Sequence, residues 1–190
     1  MKGMNEMIEI NVGVSNHHVH LSRDILDKLF GNGYELTVKR FLSQKKEFAS
    51  FETVSIKVND KVIDNVRIIG PVRNYTQVEL LSSDCEYLGI KAPIRDSGDL
   101  DNSASVTIIG PKTELTIDNS CIIANNHIHI NSSTYPFLND KDVVSVITKD
   151  NKIINDVHIK KGDNFTLELH IDKDEALKYG LNNGDKVILK

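Results

Sequence analysis

The chain has 190 residues, a formal net charge of −4, 39% hydrophobic and 26% charged residues, which is ordinary globular composition. The acidic balance and the lack of a basic cluster argue against a nucleic-acid partner, because phosphate binding leaves a basic footprint. The two cysteines show no CxxC spacing, and no apolar run reaches the roughly 18 residues of a membrane span. We therefore expect a cytoplasmic protein without membrane contact.

Most of the predicted elements are strands, and the first predicted helix is "SRDILDKLFG" (22–31), which begins with a capping serine and ends at glycine. Further along, Asp84 and the stretch "RDSGDLDNSA" (95–104) are interpreted as turn and loop. A second short helix is predicted at "DKDEALKYG" (172–180). Apolar residues with a period of two predict the strands "VSIKVND", "DNVRIIG", "SVTIIG", "TELTID", "VVSVITK", "KIINDVHIK", "FTLELHI" and "DKVILK".

The two halves of the chain resemble each other. The stretch "HVH" (18–20) lies 109 positions before "HIH" (127–129), and "NDKVIDNVRI" (59–68) matches "DNKIINDVHI" (150–159) at an offset of 91. The change of offset gives the first half about 18 extra residues after its histidine pair. A mainly β protein made of two similar small β-barrels, capped by short helices and related by internal duplication, is the simplest architecture for this pattern.

The histidine pairs have the spacing of metal ligands. Alternate residues of a strand share a face, so both imidazoles of an HxH stretch can converge on one ion. A single such pair is common at surfaces and in cores, but at the offset of 91 Glu79 falls opposite His170 and gives each half a third donor. Imidazole and carboxylate without thiolate suit zinc or another late first-row metal, and three protein ligands leave open positions. The predicted ligands are His18, His20 and Glu79 in one set, and His127, His129 and His170 in the other.

A third motif, "IIGPVRNYTQVEL", places Arg73 six residues before Glu79. A guanidinium beside a metal suits a phosphate or a carboxylate. The residues alone leave two alternatives open for Arg73, this binding role and a surface ion pair. Lys39 and Arg67 are interpreted as solvated surface.

The chain resembles the PduL-type phosphotransacylases, phosphate propanoyltransferases that exchange coenzyme A and phosphate on a short acyl group. The resemblance runs from about residue 12 to the end of the chain. The matching stretches occur in the family's order: "GVSNHHVHLS", "IIGPVRNYTQVEL", "LGIKAPIRDSGD", "NNHIHI" and "LELHIDKDEA".

The resemblance implies that residues 17–120 form a central β-barrel and that residues 1–16 and 121–190 form a second one, with its first strand contributed from the N-terminus. It implies two zinc ions per chain at the six predicted ligands. Its implied partners are coenzyme A, inorganic phosphate and a short-chain acyl phosphate, with Arg73 binding the phosphate. The residues implied to line the coenzyme A pocket are Val14, Ser15, Asn16 and Arg67.

The chain departs from the family pattern at several positions, and the glycines expected around "GPKTEL" and "FLNDKD" are missing. His17 and Asn126 stand where arginine is usual, and Leu177 stands where the family has an asparagine associated with coenzyme A. Microcompartment members carry an amphipathic targeting helix before the first strand, but "MKGMNEMIEI" (1–10) lacks such a stripe. We therefore expect a free cytosolic enzyme.

The leading hypothesis is a phosphate acyltransferase with a two-zinc site. The alternatives are a binuclear zinc hydrolase of acyl phosphates or thioesters, and a non-catalytic barrel that binds coenzyme A or metal. A homodimer is the expected assembly for an enzyme of this size.

Overall fold

The structure is a computed structural model that describes residues 7–190. The expectation that the N-terminus lacks a targeting helix concerns chiefly residues 1–6, which lie outside the described residues. Among the described residues, no helix combines the length and the apolar character that crossing a membrane requires. The chain divides into two compact units, one containing the residues up to Ser15 with Asn125–Lys190, and the other Asn16–Ala124.

Strands dominate both units, as the sequence predicts. The strands are β1 (Glu9–Ser15), β2 (His18–His20), β3 (Val38–Phe41), β4 (Phe48–Val58), β5 (Lys61–Gly70), β6 (Gln77–Glu79), β7 (Ile94–Arg95), β8 (Ala104–Ile109), β9 (Glu114–Ala124), β10 (His127–Asn131), β11 (Val143–Thr148), β12 (Ile153–Gly162), β13 (Glu168–Asp172) and β14 (Lys186–Leu189). The helices are α1 (Arg23–Phe30), α2 (Ser82–Leu88) and α3 (Lys173–Tyr179).

The unit that contains Asn125–Lys190 is a closed barrel, called here the C-terminal barrel, with the strand order β1-β13-β10-β12-β11-β14. The pairs β1/β13 and β10/β12 are parallel, and the other pairs are antiparallel. Alternate residues of these strands fill the barrel with a core of buried aliphatic side chains. Its central members are Ile10, Val12, Ile128, Ile130, Val146, Ile159 and Leu169.

The unit Asn16–Ala124 also closes, in the order β4-β5-β2-β6-β9-β8, because β8 pairs with both β9 and β4. We call it the central barrel. Its parallel pairs are β2/β5 and β6/β9, while β3 adds to β4 and β7 adds to β9. Its core includes Val19, Val54, Ile68, Val78, Ile108 and Cys121.

The two barrels share one topology. In each, the HxH strand (β2 or β10) lies between a parallel partner (β5 or β12) and an antiparallel partner (β6 or β13). The prediction of two similar barrels related by duplication is therefore confirmed. The extra residues of the first half form α1 and β3, whereas the segment 132–142 of the second half consists mainly of turns.

Both predicted helices are confirmed. Helix α1 follows Ser22 and buries Leu26 and Leu29. The prediction that the Ser22 side chain caps this helix is wrong, because its Oγ lies 3.1 Å from Thr76 Oγ1 and makes no capping hydrogen bond. Helix α3 begins after Asp172, whose side chain accepts the N–H of Glu175 at 2.9 Å. It ends at Gly180, which has a φ of 71° and so adopts the left-handed conformation that glycine tolerates best.

The interpretation of Asp84 as a turn residue is wrong, because Asp84 lies in the first turn of α2. Its carboxylate accepts the N–H of Leu81 at 3.0 Å and so satisfies one of the free donors at the start of the helix. Helix α2 follows β6 just as α3 follows β13, so each barrel carries one short helix directly after the strand of its third predicted ligand.

Candidate metal centres

Strands β2 and β6 bring the first predicted ligand set together. Their antiparallel register places His18 opposite Glu79, and Val19 between the histidines points into the barrel core. His18 Nε2 lies 3.3 Å from Glu79 Oε2, and His20 Nε2 lies 3.9 Å from Glu79 Oε1. One potential ligand atom from each of the three residues lies within 4.8 Å of the other two.

Strands β10 and β13 do the same for the second set. His127 stands opposite His170 in register, and Ile128 points into the core between the two histidines of β10. The ring centroids of His129 and His170 are 4.5 Å apart, and those of His127 and His170 are 5.1 Å apart. The potential ligand atoms of this set also lie within 4.8 Å of one another.

The hydrogen bonds of the imidazoles suit metal binding. His18 Nδ1 donates to the carbonyl of Asn16 at 2.9 Å, and His127 Nδ1 donates to the carbonyl of Asn125 at 2.8 Å. Because each Nδ1 carries the proton, the lone pair of each ring is on Nε2, which is the tautomer a metal ligand needs. His20 Nδ1 donates in the same way to the carbonyl of Ile69 at 3.2 Å.

Burial favours the neutral imidazole in the second set. It lowers the pKa of His127 well below its usual value, and the nearby charge of Lys160 and the imidazoles of His170 and His129 lower it further. A neutral imidazole keeps the lone pair that a metal requires. Both donor sets therefore fit a zinc ion with three protein ligands.

The residue two positions before each third ligand contacts that ligand. Gln77 Nε2 donates to Glu79 Oε1 at 2.5 Å, and Glu168 Oε2 lies 2.8 Å from His170 Nε2. An amide donor thus faces a carboxylate in one barrel, and a carboxylate faces an imidazole in the other. The sequence analysis missed both residues, although strand periodicity alone puts them on the ligand face.

The absence of a side chain at Gly13 leaves space for the Glu168 carboxylate. Gly13 pairs with His170 across β1 and β13. A Cβ atom at position 13 would lie only 2.9 Å from the carboxyl carbon of Glu168. Gly13 thus leaves space for a carboxylate that contacts a predicted metal ligand.

Arg73 makes the ion pair that was one of its two alternatives, but it is not at an open surface. Its Nη2 lies 3.1 Å from Glu47 Oε1, and its side chain is only 23% exposed. Its Nη1 donates to Tyr75 Oη and to Ser97 Oγ, both at 3.2 Å. The guanidinium is therefore held in a fixed orientation within the central barrel.

The residues implied for coenzyme A lie in both units. Val14 and Ser15 end β1 in the C-terminal barrel, where Val14 N donates to Asn183 Oδ1 at 3.1 Å. Asn16 begins the other unit. Arg67 stands beside His18 on β5, and its Nη1 donates to the carbonyl of Phe51 at 2.7 Å, so it is more constrained than a solvated surface residue.

Comparison with known proteins identifies the family. A model of the phosphate propanoyltransferase family matches residues 11–182. A phosphate propanoyltransferase from Thermotoga maritima is 46% identical over 185 residues, which cover 95% of this chain and 88% of the relative. Proteins of the same description from Lachnoclostridium phytofermentans and Listeria monocytogenes are 44% and 38% identical, covering 88% and 92% of this chain and 80% and 84% of the relatives. This chain therefore belongs to the phosphate propanoyltransferase family of acyltransferase enzymes.

Proposed function

We propose that this chain interconverts a short-chain acyl-CoA and phosphate with an acyl phosphate and coenzyme A at a two-zinc site. One observation carries the proposal, the matched pair of ligand sets on equivalent strands. His18 faces Glu79 in the central barrel as His127 faces His170 in the C-terminal barrel. Duplicated sets of three ligands, each with open positions, are typical of metal sites that act on substrate.

The reaction is an exchange at one carbonyl carbon. In the direction of acyl phosphate formation, a phosphate oxygen forms a C–O bond to the thioester carbon, the C–S bond breaks, and coenzyme A leaves as a thiolate that then takes up a proton. Bound zinc supplies positive charge that stabilises a thiolate and polarises a carbonyl oxygen. Backbone carbonyls hold the Nδ1–H of His18, His20 and His127 and so fix the required tautomer, and the Arg73 side chain orients the phosphate.

Arg73 has hydrogen-bond donors left for phosphate. A guanidinium carries five N–H groups, and among the described residues three of these are directed at Tyr75, Ser97 and Glu47. The remaining two, on Nε and Nη2, can donate to phosphate oxygens. Because its other donors are already engaged, the guanidinium needs little reorganisation when phosphate binds.

The test is an assay of wild-type protein with acetyl, propanoyl and butanoyl phosphate, with and without coenzyme A, on a preparation whose zinc content is measured. We expect two zinc ions per chain and acyl-CoA formation that requires coenzyme A. Phosphate release that does not depend on coenzyme A would instead support a binuclear zinc hydrolase. Binding of coenzyme A and zinc without turnover would support a non-catalytic barrel.

A further inference from the structure

The amide of Gln77 links a predicted metal ligand to the predicted phosphate-binding residue. We infer that Gln77 is a positioning residue that holds the Glu79 carboxylate and, through Ser97, the Arg73 guanidinium in one hydrogen-bonded frame. This inference rests on the proposed function, because it assigns a role to Gln77 within that same site.

The orientation of the Gln77 amide follows from its contacts. The side chain is fully buried, and its Oε1 accepts the backbone N–H of Gly98 at 2.7 Å. A backbone N–H can only donate, so the amide oxygen must face Gly98 and the NH₂ group must face away from it. The two hydrogens of Nε2 are then directed at Glu79 Oε1, at 2.5 Å, and at Ser97 Oγ, at 2.8 Å.

Ser97 joins this amide to Arg73. Its Oγ accepts from Gln77 Nε2 at 2.8 Å and from Arg73 Nη1 at 3.2 Å, so both of its lone pairs are used. The frame therefore runs without interruption from the Glu79 carboxylate through two neutral side chains to the guanidinium. Because neutral side chains separate the two groups, the Glu79 carboxylate can serve as a metal ligand while the Arg73 guanidinium binds phosphate.

The backbone around Ser97 is shaped for this contact. Gly98 has a φ of 94°, in the region that side chains rarely adopt, and Asp99 N donates to the carbonyl of Asp96 at 3.0 Å to close a tight turn. This turn directs the Gly98 N–H at Gln77. The contact crosses 21 positions of sequence, so no local periodicity reveals it.

The equivalent position in the other barrel argues against a purely structural role for Gln77. Gln77 pairs with His20 in register, and Glu168 pairs with His129 in the same way. The residue changes with the chemistry of the third ligand, since a donor faces Glu79 and an acceptor faces His170. If the residue at this position served only packing, its hydrogen-bonding character would not need to match that of the third ligand.

The experiment compares Gln77→Met, Gln77→Asn, Ser97→Ala and Ser97→Thr with wild type. Methionine keeps the length of the side chain but removes the amide, and asparagine keeps the amide but withdraws it by one methylene. Ser120→Ala is the control, because Ser120, like Gln77, is fully buried and its Oγ donates to the carbonyl of Ile117 at 2.8 Å. Three quantities are measured: zinc affinity by competition with a chromophoric chelator, binding of inorganic phosphate by calorimetry, and the KM for phosphate.

We expect both Gln77 variants to weaken one of the two zinc sites by about 10–100-fold and to raise the KM for phosphate. Ser97→Ala should raise that KM by about 3–10-fold, the usual effect of losing one hydrogen bond, and should leave both zinc affinities unchanged. Ser97→Thr, which keeps the hydroxyl, should have a KM for phosphate close to that of the wild type. Ser120→Ala should alter neither ligand.

The inference is overturned if both Gln77 variants keep the wild-type affinities for zinc and phosphate, or if Ser120→Ala reproduces their losses. If Gln77→Met does not fold, Gln77→Asn and Ser97→Ala decide the outcome. Wild-type protein that binds two zinc ions but shows no turnover dependent on coenzyme A refutes the proposed function alone, since zinc competition and phosphate calorimetry still test Gln77. Wild-type protein that binds no zinc refutes both.

Discussion

His17 donates its Nδ1–H to Asp84 at 3.0 Å, which ties the residue before β2 to the first turn of α2. The C-terminal barrel repeats the contact, since Asn126 Nδ2 donates to Glu175 Oε2 at 3.3 Å before β10 and at the start of α3. Each carboxylate belongs to the third residue of its helix. Arginine, which the resemblance to the family leads us to expect at both positions, would meet a carboxylate in each barrel. His17 and Asn126 keep this contact with side chains that carry no permanent charge.

We therefore predict that His17→Arg stabilises the protein by about 0.5–1 kcal/mol, because a permanently charged guanidinium forms a stronger bond with the largely buried Asp84 carboxylate. The measurement is the free energy of unfolding in urea at neutral pH. In the double variant His17→Arg/Asp84→Asn the gain should disappear. A gain that survives the loss of the carboxylate would show that arginine acts through some other contact.

The two ligand sets predict how zinc content responds to single substitutions. His129→Ala removes one of three ligands from the second set and should reduce the bound zinc from about two ions per chain to about one. His158→Asn is the matched control, since His158 pairs with His127 in register but belongs to neither set. Metal analysis after dialysis checks both variants. Two zinc ions in His129→Ala, or one in His158→Asn, would show that the second set is assigned wrongly.

Gly13→Ala should disturb the second set without touching a ligand. Its Cβ would lie 2.9 Å from the carboxyl carbon of Glu168, so the carboxylate must move away from His170. We expect the affinity of one zinc site to fall by about tenfold, since loss of a hydrogen-bond partner of a metal ligand costs roughly that much. Chelator competition measures the affinity.

The same contact can also be removed from its other side. The shorter side chain of Glu168→Asp withdraws the carboxylate from His170 Nε2, which lies 2.8 Å from Glu168 Oε2 in the wild type, so this variant should weaken the same zinc site by about tenfold. Because both changes remove one contact, Gly13→Ala/Glu168→Asp should bind zinc about as well as either single variant. A double variant that suffers both losses in full would show that the methyl group acts on the backbone of β1 rather than on the carboxylate.

The sequence predicted those features of the site that repeat along a strand. A period of two paired His18 with His20, and the internal repeat supplied Glu79 as their third partner. Helix α2 was missed because Leu81 precedes it where a capping side chain is usual, although its alignment with α3 at the offset of 91 contained the signal. The contact of Gln77 with Ser97 could not be predicted from the sequence, because Ser97 lies 20 positions later and is brought to Gln77 only by the turn at Gly98.

The hydrogen bonds that Glu52 accepts predict that the stability of the protein depends on pH. Burial opposes its ionisation, but hydrogen bonds from its own backbone N–H, from Thr37 and from Tyr34 outweigh burial and lower the pKa of Glu52. The folded-state pKa is therefore below the unfolded value of about 4.3. Ionised Glu52 stabilises the fold above that value, and the contribution is lost as the pH falls through the folded-state pKa.

Glu52→Gln should accordingly lower the free energy of unfolding by about 1 kcal/mol at pH 7, and this difference from wild type should shrink on acidification below the unfolded pKa. Urea unfolding at a series of pH values measures it, with the exposed Glu86→Gln as a control for removing one negative charge. A difference that is independent of pH would mean that packing, and not the charge of Glu52, stabilises the contact.

Arg73→Lys separates the charge of Arg73 from its shape. Lysine keeps the positive charge but cannot donate to Tyr75, Ser97 and Glu47 while also presenting two N–H groups to phosphate. We expect the KM for phosphate to rise by about 10–100-fold in Arg73→Lys and further in Arg73→Ala, with zinc content unchanged, because a bidentate charged contact is worth about 1.5–3 kcal/mol. Arg23→Lys is the control, because Arg23 lies on α1, pairs with Glu35 and belongs to neither predicted ligand set. This variant should leave the KM unchanged. Wild-type kinetics in Arg73→Lys would mean that positive charge alone suffices, and full activity in Arg73→Ala would remove Arg73 from phosphate binding altogether.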